Sequence, residues 1–187
     1  MNQVISNIEF YNTPEGDVMV KEVGMAAHQL KESDRDLIAD LLVIIRDRYP
    51  KAHDALMTLY SSSTMNRRYY EYRVVHRFIR CNFGEYDQYN LDVDHNGRFL
   101  FEEVRCPLRG ECCLEGVVCK PELNTRLTER EMEVFRLIAS DLSGDEIAAE
   151  LNLSPCTINR HRENIKAKIG AKNVAEMVGY WHRNKLR

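Results

Sequence analysis

Residues 127–170 read LTEREMEVFRLIASDLSGDEIAAELNLSPCTINRHRENIKAKIG, and this stretch decides the fold of the last third of the chain. Thr128 and Glu131 have the spacing of a helix capping box, in which each side chain accepts a hydrogen bond from the other residue's backbone N–H. Ser143 and Glu146 repeat that spacing further along. The two boxes therefore predict two helices in succession.

Two further helix starts follow in the same region. Ser154 is a candidate N-cap, and Pro155 suits the first helical position, where no backbone N–H is needed. Asn173 opens a fourth helical segment, with Glu176 three residues later. The second and third helices are separated only by residues 151–154, which is the length of a helix-turn-helix connection.

The third of these helices has two chemically different sides when its residues are placed at about 100° intervals. Ile158, Ile165 and Ile169 share one side, which we expect to be buried. The other side and the flanks carry polar, basic and small residues, namely Cys156, Asn159, Arg160, His161, Arg162, Glu163, Lys166, Ala167 and Lys168. A helix fits the major groove of DNA, where Arg and Asn can each form two hydrogen bonds with a base. The pattern therefore predicts a recognition helix.

The net charge of −3 is distributed unevenly over the 187 residues. Residues 154–187 contain eight Lys and Arg against two Asp and Glu, whereas residues 1–126 carry a net charge of −4. Concentrated positive charge favours a polyanionic partner for the end of the chain. With 44% hydrophobic and 29% charged residues, the chain has the composition of a folded protein, which excludes wholesale disorder.

Four segments of this region resemble the LuxR-type helix-turn-helix of bacterial transcription factors. They are residues 127–131 (LTERE), 144–148 (GDEIA), 153–158 (LSPCTI) and 161–165 (HRENI). The resemblance covers about residues 124–187 and implies a four-helix domain whose third helix enters the major groove. It also implies that the fourth helix supports pairing into a dimer.

The resemblance assigns a role to individual residues of the third helix and its start. Asn159, Arg160 and Glu163 are the candidates for contacts with base edges, although Glu163 could instead hold Arg160 as an i,i+3 ion pair. The candidates for phosphate contacts are Ser154, Thr157, Arg162, Lys166 and Lys168. The chain departs from the family at Asn159, where a basic residue is usual, and this departure predicts an unusual DNA sequence. It also has Val174 where the family often has Arg.

The first two-thirds of the chain predict an α+β domain, so the fold class is an α+β N-terminal domain followed by an all-α four-helix helix-turn-helix domain. The expected boundaries are residues 1–121, a linker over residues 122–126, and residues 127–187. Strands are predicted over residues 5–11 and 17–23, and the pattern over residues 86–105 is strand-like. A helix carrying Leu37, Ile38, Leu41, Leu42 and Ile45 is expected to be capped by Ser33 with Asp36.

Residues 92–103 have two interpretations. Their acidic residues match the spacing of an EF-hand calcium loop, but Gly84 and Pro107 oppose the helices that such a loop needs on both sides. Asn96-Gly97 between apolar residues is typical of a type I′ hairpin turn, which we favour.

The chain contains six cysteines, and a Cys-rich loop covers residues 106–119. In a reducing compartment cysteines are more often thiols or metal ligands than disulfides. We predict a metal site at Cys81, Cys106, Cys112 and Cys119, with only one of the adjacent Cys112 and Cys113 as a ligand. Zinc is favoured over an iron–sulfur cluster, and free thiols or a redox disulfide are the alternatives.

Together these features predict a cytoplasmic, sequence-specific transcriptional regulator that binds double-stranded DNA as a homodimer and contacts RNA polymerase. The N-terminal domain is expected to sense a signal or to oligomerise. No catalytic array is visible, so we expect no enzymatic activity. A sigma-factor-like polymerase subunit is the alternative, suggested by the aromatic and basic residues 66–80, and a metal- or redox-sensing protein ranks below it. The longest aliphatic run, residues 41–45, is too short for a membrane span.

Overall fold

A computed structural model describes residues 5–87, 91–94, 97–184 and 186. The chain divides into two compact units, Met1–Glu122 and Leu123–Arg187. In the described residues the first unit contains helices and a sheet, and the second is helical. None of the helices in these ranges combines the length and hydropathy that a membrane span requires.

A three-stranded antiparallel sheet opens the first unit. β1 (Ile8–Asn12) pairs with β2 (Val18–Glu22), which pairs with β3 (His28–Gln29). Val18 and Val20 are fully buried and alternate with less buried residues, as expected when one face of a sheet meets a core. The two predicted strands are confirmed, with β1 starting three residues later and ending one residue later than predicted and β2 one residue shorter at each end. β3 is too short for any periodicity to indicate it.

Three α-helices follow the sheet, and a short 3₁₀ helix separates the last two. Ile38, Leu41 and Ile45 of the first helix are fully buried, so the predicted helical spacing of that apolar run is confirmed. The bounds are α1 Arg35–Arg48, α2 Pro50–Leu59, the 3₁₀ helix Ser61–Ser63, and α3 Arg67–Asn82.

The start of α1 differs from the prediction. The sequence favours Ser33 as the N-cap, but Asp34 occupies that position without a side-chain cap hydrogen bond. The Asp34 carboxylate accepts instead from the backbone N–H of Lys31, at 2.8 Å. This short-range bond turns the Asp34 side chain back toward the preceding residues, away from the helix it precedes.

The strand-like pattern predicted over residues 86–105 is confirmed only in part, because the described residues of that segment form isolated bridges and no longer strand. Val93 forms antiparallel bridges with Ile8 and with Phe99. His95 and Asn96, on which the predicted hairpin turn partly falls, lie outside the described residues.

Aromatic side chains pack together around this segment. The rings of Tyr49, Phe78, Phe83, Phe99 and Phe101 contact one another with centroids 5.2 to 6.0 Å apart. Such clusters gain stability beyond the area they bury. Residues 97–101 are therefore held by side-chain packing together with backbone hydrogen bonds, from the Leu100 N–H to the Asp92 carbonyl at 2.8 Å and from the Asp94 N–H to the Arg98 carbonyl at 3.0 Å.

Asp92 is buried beside β1, where its side chain forms a hydrogen bond with the strand's backbone. Its carboxylate accepts a hydrogen bond from the backbone N–H of Phe10, at 2.7 Å. Burial raises the pKa of Asp92 to about 8, although that hydrogen bond acts in the opposite direction, and the nearby carboxyl of Glu9 raises it further. In the calcium-loop alternative Asp92 would be the first ligand, so the structure gives this side chain a different use.

The second unit consists of α4 (Glu129–Ala139), α5 (Gly144–Glu150), α6 (Pro155–Ile169) and α7 (Val174–Arg183). Both predicted capping boxes are present, with the N-cap and third-residue side chains each accepting from the other's backbone. The residues are Thr128 with Glu131, and Ser143 with Glu146.

The ends of α6 follow directly from its sequence. Ser154 is the N-cap, its Oγ accepts from the backbone N–H of Thr157, and Pro155 is the first helical residue. Gly170 ends the helix at φ 71°, a left-handed conformation that glycine adopts without steric cost. Between α5 and α6, the N–H of Leu153 donates to the carbonyl of Ala148 at 2.9 Å, which closes the connecting turn.

Candidate nucleic-acid interface

The orientation of α6 agrees with the sequence prediction. Ile158 and Ile165 are fully buried and Ile169 is half-buried, in a core that also contains Phe135 and Trp181. The side of α6 opposite these isoleucines is therefore the side on which its polar residues meet solvent.

Arg160 and Glu163 lie on that outer side, and Asn159 lies on its flank. Asn159, Arg160 and Glu163 are exposed, and Ala167 is exposed one turn further along. Arg160 has no ion-pair or hydrogen-bond partner among the residues that the structure describes. Its guanidinium is thus free to donate to a ligand.

Glu163 forms an ion pair with Lys166, whereas the sequence suggests Arg160 as its partner. Its carboxylate lies 2.7 Å from the Lys166 ammonium, an i,i+3 ion pair, and it makes no ion pair with Arg160. The side chain of Lys166 is 22% exposed and that of Glu163 is 71% exposed, so the pair can be opened at little cost. Glu163 therefore restrains Lys166 and leaves Arg160 unpaired.

Two hydroxyl groups stand together at the start of α6. The Oγ of Ser154 lies 2.8 Å from the Oγ1 of Thr157. Both side chains belong to the N-terminal cap, where backbone N–H groups and the helix dipole favour an anion. Cys156 lies between them in sequence, as the second residue of α6, and its thiol is exposed.

Arg162 lies against the beginning of α5. It is half-buried, and its Nη1 is so close to Gly144 that a Cβ there would stand 3.2 Å away. Its Nε is buried and has no hydrogen-bond partner in the described residues. Arg162 therefore fills a position between two helices, and only part of its guanidinium faces outward.

Lys168 links the end of α6 to the start of α4. Its ammonium lies 2.5 Å from the carboxylate of Glu131, the third-residue acid of the first capping box. Burial works against ionisation of Glu131, but the Lys168 ammonium and hydrogen bonds from Thr128 together hold the pKa of that carboxyl below its ordinary value. A phosphate contact by Lys168 would have to share or replace this partner.

Arg130 helps to position the helix-turn-helix, a role that the sequence did not indicate. Its Nη2 donates to the carbonyl of Leu151 at 3.0 Å, and its Nη1 lies 2.5 Å from Glu133. The first bond ties α4 to the turn between α5 and α6. No local spacing rule connects residues 130 and 151, so only the folded structure could reveal this contact.

The apolar stripe of α7 belongs to the core. Met177 is fully buried, and the Trp181 ring meets Phe135 edge to face with centroids 5.0 Å apart. Val174, in the first turn, is 40% exposed. Of this stripe, only Val174 has a substantial exposed area for contact with a second chain.

In the first unit, some of the aromatic and basic residues of α3 contact the rest of the unit, whereas Arg67, Arg68, Tyr69 and Arg80 are exposed. Tyr70 is buried and donates its hydroxyl to the carbonyl of Met57 at 2.8 Å. Arg67 forms an ion pair with Glu71, and the Arg73 guanidinium lies 4.1 Å from the centre of the Tyr60 ring. These contacts stabilise the unit and give no specific support to the sigma-factor-like alternative.

The four cysteines predicted as metal ligands gather near the end of α3. Cys81, Cys106, Cys112 and Cys119 are each half-buried, whereas Cys113 is exposed. The Cys81 and Cys119 thiols are neighbours, and burial raises the pKa of Cys81 to about 12 and also raises that of Cys119. As placed in the described residues, no three His, Cys, Asp or Glu side chains are close enough to share a metal ion.

Comparison with known proteins identifies the second unit. Residues 125–181 match the family described as "Bacterial regulatory proteins, luxR family". These residues form a LuxR-family domain. The domain includes α4, α5, α6 and most of α7, and therefore every residue predicted to contact DNA. The resemblance stated from the sequence is confirmed for this part of the chain.

Relatives of the LuxR-family domain are named as regulators. The chain is 45% identical over 52 residues to the transcriptional regulatory protein UhpA of Escherichia coli K12, covering 28% of this chain and 26% of UhpA. It is 31% identical over 109 residues to the response regulator protein VraR of Staphylococcus aureus, covering 54% of this chain and 52% of VraR.

A longer but weaker similarity extends beyond the LuxR-family domain. The transcriptional regulatory protein MctR of Rhizobium johnstonii is 25% identical over 146 residues, covering 75% of this chain and 63% of MctR. The chain thus matches about a quarter of the length of UhpA and less than two-thirds of MctR. No solved structure matches the chain.

Proposed function

We propose that the chain is a sequence-specific transcriptional regulator and that α6 binds in the major groove of double-stranded DNA. The observation that carries this proposal is the exposed, unpaired Arg160 on the side of α6 opposite the buried Ile158 and Ile165. An Arg in this position can donate two hydrogen bonds to guanine, which is the commonest specific contact of this kind.

The residues around Arg160 take complementary roles in this proposal. Asn159 contacts adenine through its amide, and Glu163 accepts from the amino group of cytosine. Lys166, which is held by Glu163 in the free protein, turns toward a phosphate when Glu163 engages a base. The other proposed phosphate contacts are made by Ser154, Thr157, Arg162 and Lys168, and Lys168 already forms an ion pair with Glu131 inside the domain.

We also propose that two copies act together on a palindromic site. One recognition helix contacts only a few base pairs, and a symmetric pair about one helical turn apart gives a longer operator. The first turn of α7 is the proposed contact, because Val174 is exposed there. The role left to the first unit is to oligomerise or to sense a signal, and no catalytic step is assigned to it.

The proposal is tested by selection from random duplexes with the full chain. We expect a two-fold symmetric operator bound with a Kd of about 10⁻⁸ M or tighter at moderate salt. Folded protein that retains no duplex at low salt would refute the proposal. Copurification with core RNA polymerase, together with no operator binding by the chain alone, would favour a polymerase subunit instead.

A further inference from the structure

Cys81 and Cys119 are brought together by one buried amide. Asn82, the last residue of α3, is fully buried and donates to the carbonyl of Val118 at 2.9 Å. Its Oδ1 accepts from the backbone N–H of Lys120 at 2.8 Å. Asn82 directly follows Cys81, and its two hydrogen-bond partners, Val118 and Lys120, flank Cys119. These two hydrogen bonds hold the backbone segments together, so the two thiols are neighbours.

The loop that carries the other cysteines is a chain of tight turns. Within residues 106–119, backbone bonds run from Arg109 N–H to the Cys106 carbonyl, from Cys112 to Leu108, from Glu115 to Cys112, and from Val118 to Leu114, at 2.9 to 3.2 Å. This segment contains no helix or strand, and its buried apolar side chains are Leu114 and Val118. Two buried side chains contribute little stability to an irregular segment of this length. Small segments of this kind are commonly stabilised by a disulfide or a metal ion.

Arg77 supplies an independent observation, because it lies among the thiols without a carboxylate partner. It stands one helical turn before Cys81, is half-buried, and has Cys81 and Cys112 beside its guanidinium. In the described residues it forms no ion pair, and its Nε is buried with no hydrogen-bond partner. A partly buried cation is stabilised by nearby negative charge. Neutral thiols cannot provide that charge, whereas metal-bound thiolates can.

We propose that Cys81, Cys106, Cys112 and Cys119 bind one Zn²⁺ as four thiolates, with Arg77 next to the resulting dianionic centre. Zinc prefers four tetrahedral ligands and binds thiolates well in structural sites. On binding, four S–H bonds are replaced by four S–Zn bonds and four protons are released, so no oxidant or reductant is needed. Because no three of these side chains are positioned to hold an ion as placed, binding must rotate them and close the loop on Cys81.

The two cysteines that are not proposed as ligands differ from the four ligands in exposure. Cys113 is exposed next to the proposed ligand Cys112, and Cys156 is exposed on α6 in the other unit. Neither lies among the four. These two residues are therefore matched controls, because each carries the same thiol and neither should contribute to zinc binding.

The test is the metal content of the full chain purified without chelators, measured by plasma mass spectrometry. We expect about one zinc per chain, lost in Cys81→Ser and in Cys119→Ser but retained in Cys113→Ser and Cys156→Ser. Replacement by Co²⁺ should give thiolate charge-transfer absorption and the intense visible bands of a tetrahedral site, which requires no variant to fold. Arg77→Met should bind zinc 10- to 100-fold more weakly in competition with a chelator.

Three results would overturn the proposal. A folded, metal-free parent whose six cysteines all react with a thiol reagent would show that no site exists. Iron with acid-labile sulfide would replace the zinc assignment by an iron–sulfur cluster. Full zinc content in folded Cys81→Ser and Cys119→Ser would place the metal elsewhere.

Discussion

The guanidinium of Arg160 extends into solvent, so its N–H groups are available to donate hydrogen bonds to a ligand. The neighbouring acid, Glu163, is occupied by Lys166. We expect Arg160→Ala to weaken operator binding by about 1–3 kcal/mol and to relax the preference at one base pair. Electrophoretic mobility shifts on operators substituted at each position measure both effects.

The control for this substitution is Arg136→Ala. Arg136 is exposed in the last turn of α4, so the change in charge is the same while the recognition helix is untouched. We expect its base preferences to equal those of the parent. Equal losses of sequence preference in the two variants would mean that α6 does not contact the bases as proposed.

The pKa of about 8 at Asp92 has a consequence for stability. In the unfolded chain this carboxyl ionises near its ordinary pKa of 3.8, so between about pH 4 and pH 8 the folded protein retains a proton that the unfolded chain has lost. The free energy of unfolding should therefore fall as pH rises through this window, by at most about 1.4 kcal/mol per pH unit from this group. Urea unfolding at pH 5, 6, 7 and 8 measures the slope.

The substitution Asp92→Asn removes the titrating group and keeps an oxygen that can accept from the Phe10 N–H. Its unfolding free energy should vary less with pH than that of the parent over the same window. Asp94→Asn is the control, because the Asp94 carboxylate accepts from the Arg98 N–H at a less buried position. If Asp92→Asn retained the parent's slope, another group would be responsible.

Individual side chains of α6 could be placed from the sequence, but their partners could not. The burial of Ile158 and Ile165 follows from helical periodicity alone. Glu163 has an arginine three residues before it and a lysine three residues after it, and spacing does not distinguish the two. The rotamers in the folded helix decide in favour of Lys166.

At the level of elements, the capping box of α4 does more than begin a helix. Glu131 accepts from Thr128 and also binds the ammonium of Lys168 on α6. We expect Glu131→Gln to lower the free energy of unfolding by about 1–3 kcal/mol at pH 7, because a buried charged partner is lost. Urea unfolding followed by circular dichroism measures this loss.

The pH dependence of that loss follows from the lowered pKa of Glu131. A carboxyl that ionises more easily in the folded state contributes stability above its unfolded pKa, and this contribution disappears as pH falls through the folded pKa. The gap between parent and Glu131→Gln should therefore narrow on acidification below about pH 4. Glu146→Gln changes the same capping position in the exposed second box and should cost less, since no lysine is paired there in the described residues.

Elements with strong local signals could be predicted, and those held by distant contacts could not. The apolar spacing of α1 and the capping residues of α4 to α7 are local features, and they determine those helices. Residues 97–101 alternate like a strand but form only an isolated bridge to Val93, and their aromatic rings pack with Tyr49 and Phe83, which are distant in sequence. β3 exists only because β2 offers it an edge.

For the whole molecule, the positive charge of residues 154–187 should make binding strongly dependent on salt. Each neutralised phosphate adds about −0.9 to the slope of log affinity against log salt concentration. We expect Lys166→Ala to reduce the magnitude of the slope by about one and to weaken binding evenly across DNA sequences. Fluorescence anisotropy at four salt concentrations measures it, and an unchanged slope would remove Lys166 from the phosphate contacts.

The cysteine cluster marks the limit of sequence reasoning at this scale. The four thiols could be grouped by their spacing and by the looped character of residues 106–119. Two features could not be foreseen, namely the Asn82 bonds that hold Cys119 beside Cys81 and the buried Nε of Arg77, which has no hydrogen-bond partner in the part of the chain that the structure describes. Arg77 is four residues before Cys81, so helical spacing does place the two on one face of α3.

The exposed thiol of Cys156 at the second position of α6 gives the protein a built-in footprinting label. A maleimide should alkylate it readily in the free chain and slowly once a duplex covers that end of the helix. Peptide mass spectrometry distinguishes it from exposed Cys113 in the other unit, which serves as an internal standard. Occupancy on DNA can then be followed without attaching a dye.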